Sequence, residues 1–279
     1  MTPAIRPLTE ADLDAAFALS TAAGWNQTTA DWRLFLRDGR AWGIEADGVL
    51  ASSAAILPFG RKVAWVSMVL TLPDYRGRGF ATALMAHALA ALEASGHRAV
   101  LDATPLGQPL YEKFGFTPFW TFRRWLVEAS GGTAQGVRPL RPADWPALLA
   151  LDETANGIPR ERLLRALATR LPEAARVAVG GGRIAGFALG REGRLAPQIG
   201  PVVARDGRSA QRLIAAALGA LPPGQSAVID LNDLQTELVA WLAGRGATPQ
   251  RRFTRMAVGA TPLPGDAALT VAPIGPEFG

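Results

Sequence analysis

The 279-residue sequence predicts an α/β (layered α+β) protein of two related domains, each a mixed, mostly antiparallel sheet flanked by helices. Three observations predict it. Ile5-Arg6-Pro7-Leu8, with Ala11, Asp12 and Leu19, returns 132 positions on as Val137-Arg138-Pro139-Leu140, with Ala143, Asp144 and Leu151. Strand-like apolar runs alternate with segments of helical period in both copies. Between the copies lies Ala129 to Gly136, a run of small residues unable to pack. The expected boundaries are therefore 1–128, a linker at 129–136, a second domain at 137–260 and a Pro/Gly-rich tail at 261–279. That tail is either a clasp or disordered.

Within the first copy, the Arg-Pro-Leu strand (4–8) leads into a helix (10–23) whose start is marked by an acidic residue. A second helix spans 29–37, capped by Thr28 or Thr29 with Trp32 in the core. Strands follow at 41–46, 49–58 and 62–72, the first two joined by a turn at Asp47-Gly48 whose counterpart is Gly181-Gly182. A long helix at 80–94, a strand at 98–103, a helix at 107–114 and a strand at 116–127 complete the copy.

Apolar residues make up 49% of the chain, so each half can bury a core. The net charge is +5, and Lys62 and Lys113 are its lysines. The preference for arginine fits the codon usage of a GC-rich genome. The densest basic cluster outside the glycine loop is Arg251, Arg252 and Arg255, too sparse for a nucleic-acid surface. Without cysteine there is no disulfide, thiol nucleophile or thiolate metal site. His87 and His97 read as packing or solvated side chains, so no metal is expected. No apolar run is long enough to span a bilayer, and Met-Thr-Pro-Ala-Ile-Arg is not a signal peptide. A soluble, cytoplasmic protein with no membrane partner is expected.

The chemistry starts at Arg76-Gly77-Arg78-Gly79-Phe80-Ala81, set between an apolar strand and the long helix. Gly77 and Gly79 permit a tight turn close to an anion, the helix start offers unpaired N–H groups and its positive dipole end, and Arg76 and Arg78 add charge. It is neither a Walker loop nor the dinucleotide fingerprint. It resembles the Arg/Gln-x-x-Gly-x-Gly/Ala loop of the GNAT superfamily of N-acetyltransferases, which binds acetyl-coenzyme A. The element order of the whole first copy resembles a GNAT domain as well.

That resemblance implies acetyl-coenzyme A as cosubstrate. Its contacts would be the main chain of Val69, Leu70 and Thr71 and the loop residues Arg76, Gly77, Arg78, Gly79, Ala81 and Thr82, with Thr104 standing where many relatives have Asn. Pro109 to Phe116 resembles the family's Leu-Tyr-x-x-x-Gly-Phe segment, which makes Tyr111 the acid that protonates the departing thiolate; Tyr75 is expected to pack. Asp102 is either a base in the cleft or a cap for the following turn. The loop between the first two helices usually selects the acceptor in this family, which points to Trp25, Asn26 and Gln27.

In the second copy, Arg205-Asp206-Gly207-Arg208-Ser209-Ala210 stands against the glycine loop and Leu242 against Tyr111. It resembles the divergent C-terminal GNAT-like domain of bacterial tandem acetyltransferases. The expected function is acetyl transfer to a primary amine by direct attack; the contrasting reading is a non-catalytic acyl-coenzyme A sensor or interaction module. The acceptor is a small-molecule or peptide amine, and the protein a monomer or homodimer.

Overall fold

A computed structural model describes residues 3–130, 134–259, 263 and 265–279. Residues 131–133 of the expected linker, and 260–262 and 264 around the start of the expected tail, lie outside the described residues. The first half contains β1 (Ile5–Pro7), α1 (Leu13–Ala22), α2 (Thr29–Asp38), β2 (Arg40–Ala46), β3 (Val49–Phe59), β4 (Val63–Thr71), α3 (Phe80–Ala94), β5 (Arg98–Ala103), α4 (Gln108–Lys113) and β6 (Phe116–Glu128). The second half repeats the order: β7 (Val137–Pro139), α5 (Trp145–Asn156), α6 (Glu161–Ala168), β8 (Arg176–Gly180), β9 (Arg183–Arg191), β10 (Gln198–Ala204), α7 (Gly207–Leu218), β11 (Ser226–Asn232), α8 (Thr236–Gly244) and β12 (Thr248–Val258). A short β13 (Thr270–Ala272) follows.

Local chemistry accounts for the repeated parts. Asp47 and Gly48 have φ of 51° and 78°, and Gly181 and Gly182 of 56° and 73°, the left-handed pairs that two-residue hairpin turns require. Thr28 and Asp31 form a capping box at α2, and Trp32 is buried behind it, its Nε1 donating to Ser20 Oγ at 3.1 Å. Arg6 pairs with Asp12 at 2.7 Å, and 132 residues on Arg138 pairs with Asp144 at 2.7 Å.

The sheet departs from a simple pair of domains. All thirteen strands join one sheet, in the order β1-β2-β3-β4-β5-β12-β6-β11-β10-β9-β8-β7, with β13 beside β10. Each half has given its last long strand to the other: β12 pairs with β5 (Arg255 opposite Asp102), and β6 with β11 (Arg124 opposite Asp230). Local pattern cannot reveal this exchange, because β6 and β12 are copies of one strand and either fits either edge.

Two features position a cleft. Parallel pairing of β4 with β5 runs from Val63–Arg98 to Trp65–Val100. Just beyond, Ser67 faces Ala55 and Leu70 faces Ser53, so Met68 and Val69 bulge opposite Ala54. Met68 takes φ of 52°, unusual for a residue with a side chain. Ser53 Oγ donates to its carbonyl at 2.8 Å, and Ser52 Oγ to that of Leu70 at 2.7 Å, fixing the distortion from the neighbouring strand. The second half repeats the bulge at Gly200-Pro201, opposite Leu189.

Residues 265–279 bridge the halves. β13 pairs antiparallel with β10, and Asn232 Nδ2 donates to the carbonyls of Ala267 (3.0 Å) and Thr270 (2.9 Å). The chain then crosses to the first half. There the Phe278 ring stacks on Phe35 at 5.2 Å, and Ser67 Oγ donates to the Glu277 carbonyl at 2.7 Å.

Candidate active site

The glycine loop is exposed and open. Gly77 and Gly79 have φ of 77° and 78°, and a Cβ at either would meet nothing within 4 Å, so backbone conformation rather than crowding demands glycine there. Gly79 is the N-cap of α3 and supplies no side-chain cap, leaving the first-turn N–H groups available. Tyr75 packs as expected, stacked on Phe80 with the Arg78 guanidinium 4.8 Å above its ring. Donors, dipole and two arginines at one helix start suit a pyrophosphate.

Beside the β4 bulge is a cavity of about 370 Å³, within the range of small-molecule sites. Of the residues singled out from sequence it gathers Trp25, Asn26, Gln27, Val69, Asp102, Thr104 and Tyr111. Leu70, Thr71, Arg76, Gly77, Arg78, Gly79, Ala81 and Thr82 are outside its lining. Tyr111 is half-buried against Phe116, its hydroxyl has no hydrogen-bond partner among the described residues, and burial pushes its pKa up to about 12.

Three side chains at the cavity are already engaged. Both oxygens of Asp102 are held by Arg255 at 2.8 Å, with the carboxylate enclosed; burial pushes its pKa upward while Arg255 pulls it back. The capping expected of Asp102 falls instead to Thr104, whose Oγ1 accepts from Gly107 N at 3.2 Å. Asn26 docks the other half: its Oδ1 accepts from the N–H of Leu195 (2.8 Å) and Ala196 (3.1 Å), and its Nδ2 donates to the Ala196 carbonyl at 2.9 Å. Trp25 stays half-buried at the wall, and Gln27 Oε1 is buried without a partner among the described residues.

Family models described as acetyltransferase (GNAT) domains match residues 4–119 and 148–269. The chain belongs to the GNAT superfamily, in its tandem form. Acyl transfer is the class of chemistry this membership assigns. A putative acetyltransferase from Pyrococcus horikoshii superposes with a TM-score of 0.83 at 19% identity, over 100% of this chain and 96% of that one. A GCN5-related N-acetyltransferase from Sphaerobacter thermophilus gives 0.67 at 20% identity, over 94% and 98%. A tandem GNAT protein from the clavulanic acid biosynthesis pathway gives 0.67 at 17%, over 93% and 99%. No curated protein matches the sequence.

The two GNAT copies differ at this site. α7 begins at Gly207 with Asp206 as N-cap, whose carboxylate accepts from Ser209 N and Ser209 Oγ at 2.8 Å each. The Ser209 backbone bond holds that carboxyl below the usual range. Pro201 stands where the first copy has Val69, and proline has no N–H. β13 lies along β10 where the first copy has its cavity.

Sequence reading missed the second half's share of the cavity. Leu195, Ala196, Ser226, Val228, Gln250, Arg251, Phe253, Pro276 and Glu277 all line it. It also missed Arg124, which holds both oxygens of Asp230 at 2.8 and 2.7 Å, the counterpart of Arg255 on Asp102. A signal existed: Leu101-Asp102 repeats as Ile229-Asp230, and Phe122-Arg123-Arg124 as Phe253-Thr254-Arg255. Glu277 is buried beside Arg191; burial pushes its carboxyl upward, and its Oε2 has no partner among the described residues. Among the described residues no cluster of three or more His, Cys, Asp or Glu could hold a metal, and no helix is long and apolar enough to cross a membrane.

Proposed function

We propose that the chain is an acetyl-coenzyme A-dependent N-acetyltransferase with one cofactor site, in the first half. The observation that carries this reading is the open N-terminus of α3 at Gly77 to Gly79, in the half whose β4 bulge and Tyr111 share a cavity. The loop residues from Arg76 to Thr82 would hold the pyrophosphate, and the main chain at Val69 to Thr71 the pantetheine. Acetyl-coenzyme A supplies the reactive thioester.

A neutral acceptor amine attacks that thioester, its C–S bond breaks to expel a thiolate, and Tyr111 donates its hydroxyl proton to the sulfur; the proton lost by the attacking nitrogen passes to water, and water reprotonates the Tyr111 phenolate. A phenol with pKa near 12 remains protonated at neutral pH, the state that this role needs. Asp102, enclosed and held at both oxygens by Arg255, supports the cleft rather than taking a proton. Trp25 and the second half's residues enclose the acceptor, which makes the second GNAT copy a wall of the site.

The test is acetyl transfer from acetyl-coenzyme A to a panel of primary amines, read as acetylated product by mass and as released thiol. Amine-dependent product that disappears in Gly79→Glu supports the proposal. Binding of acetyl-coenzyme A with thiol release no faster than background for every amine would leave a ligand sensor as the better reading.

A further inference from the structure

The far wall of the cavity carries a cation that the acyl-transfer chemistry does not use. β12 pairs with β6 at Pro249–Trp125 and at Arg252–Arg123, so Gln250 and Arg251 bulge opposite the single residue Arg124. Bulges re-aim side chains, and both bulged residues line the cavity. Arg124 is neutralised by Asp230, whose two oxygens it takes bidentately, with Gln198 Nε2 on one of them at 2.8 Å. Asp230, engaged by Arg124, reaches Arg251 only through space, and Arg251 has neither a hydrogen bond nor an ion pair among the described residues. Arg251 is exposed overall; its partial burial, and then the neighbouring Arg124, lowers its pKa against the opposing pull of Asp230.

Elsewhere in the same lining, Glu277 belongs to a charge cluster that lies behind the wall. Asp31 is shared by Arg191 and Arg170 at 2.7 Å each, and Arg191 also pairs with Glu277, whose other oxygen is unpartnered. Arg170 additionally serves Glu192. Counted as ionised groups, Asp31, Glu277 and Glu192 outnumber Arg191 and Arg170 by one, and the half-exposed Glu192 lies outside the cavity lining. The cavity therefore has an unpaired cation at Arg251 and the buried carboxyl of Glu277, paired with Arg191 and pushed upward by burial, with Val66, Met68, Leu101, Val228 and Phe253 among the apolar surfaces of its wall.

We infer that the acceptor is an amine that also bears an anionic group, a carboxylate or a phosphate, which pairs with Arg251. This rests on the transferase reading above and narrows its substrate class. Arg251 would then be a specificity residue contributed by the second GNAT copy, and its guanidinium fork suits either anion.

The experiment compares matched acceptors in wild type and in Arg251→Ala and Arg251→Lys. The pairs are leucine against isopentylamine, 6-aminohexanoate against hexylamine, and phosphoethanolamine against ethanolamine. The first two pairs ask for a carboxylate near to or far from the amine, and the third asks for a phosphate. Wild type is expected to prefer the anionic member of at least one pair by about tenfold or more in kcat/KM, the scale of a charge-assisted hydrogen bond. In Arg251→Ala that ratio should fall to within about threefold, mainly through the acceptor's KM, with Arg251→Lys between the two. Preference for the neutral member of every pair, equal losses on both members, or a rise confined to the KM for acetyl-coenzyme A would overturn the inference. If no amine is acetylated, calorimetric binding of the three anionic members in the presence of coenzyme A separates the two readings. Arg251-dependent binding then keeps the inference while the transferase reading fails, and the absence of such binding removes both.

Discussion

The N-termini of α3 and α7 are matching parts of two copies of one fold, and one is open while the other is closed. At α3 a left-handed Gly79 caps nothing, and the loop before it is exposed. At α7 the Asp206 carboxylate already fills the position that an anion would take. The strands before them differ in the same sense, Val69 against Pro201, and so do the clefts, a cavity beside β4 against β13 laid along β10. The groups that build the shared sheet, in contrast, are kept in both copies. Arg255–Asp102 and Arg124–Asp230 have the same bidentate geometry, as cross-strand partners on either side of the exchanged strands. Duplication has preserved packing and ion pairing while the chemical groups have diverged, the pattern expected if, as proposed, the second copy serves as structure and as acceptor wall.

The largest effect expected from this asymmetry is catalytic. Tyr111→Phe should lower kcat by about 10²- to 10⁴-fold, the usual scale of a positioned acid, with little change in acetyl-coenzyme A binding. Full activity in that variant would take Tyr111 out of the chemistry. Because burial raises the phenol to about 12, the proton-donating form persists as pH rises, so kcat should not fall on account of Tyr111 below about pH 10.

Where the copies agree, stability should agree. Asp102→Asn and Asp230→Asn each leave an arginine buried without its carboxylate, and each should cost about 3–5 kcal/mol in denaturant unfolding. A much smaller loss for one of them would mean that the exchanged strands are not equivalent.

The smallest effect belongs to the closed helix. Asp206→Ala should cost about 1 kcal/mol in stability, as for other lost N-caps, with acetyl transfer unaffected. Its lowered carboxyl fixes the sign of the pH dependence. The contribution of the cap is complete above the unfolded carboxylate range of about pH 4 and disappears as pH falls through the lower folded value. A cap contribution that instead grows on acidification would remove the ionised Asp206 from the account.

Much of the first half was legible because its signals are local. The helix expected at 80–94 and the strand expected at 98–103 are found at those residues, and the Asp47-Gly48 and Gly181-Gly182 turns follow from backbone chemistry alone. The strand exchange was not legible, because it depends on which of two equivalent strands pairs with which edge. The second half's contribution to the cavity was hidden for the same reason. Arg251 and Glu277 reach it only through a bulge and a tail whose path pairing decides. Asn26 shows the converse: its place in a loop does not reveal that its amide holds residues 195 and 196 while it lines the cavity.

The central claim is one cofactor site in a chain with two GNAT folds, and calorimetric titration with acetyl-coenzyme A tests it most directly. The expected result is one molecule bound per chain, lost in Gly79→Glu and retained in Asp206→Ala. Two molecules per chain, or one whose binding survives Gly79→Glu and is lost in Asp206→Ala, would contradict it.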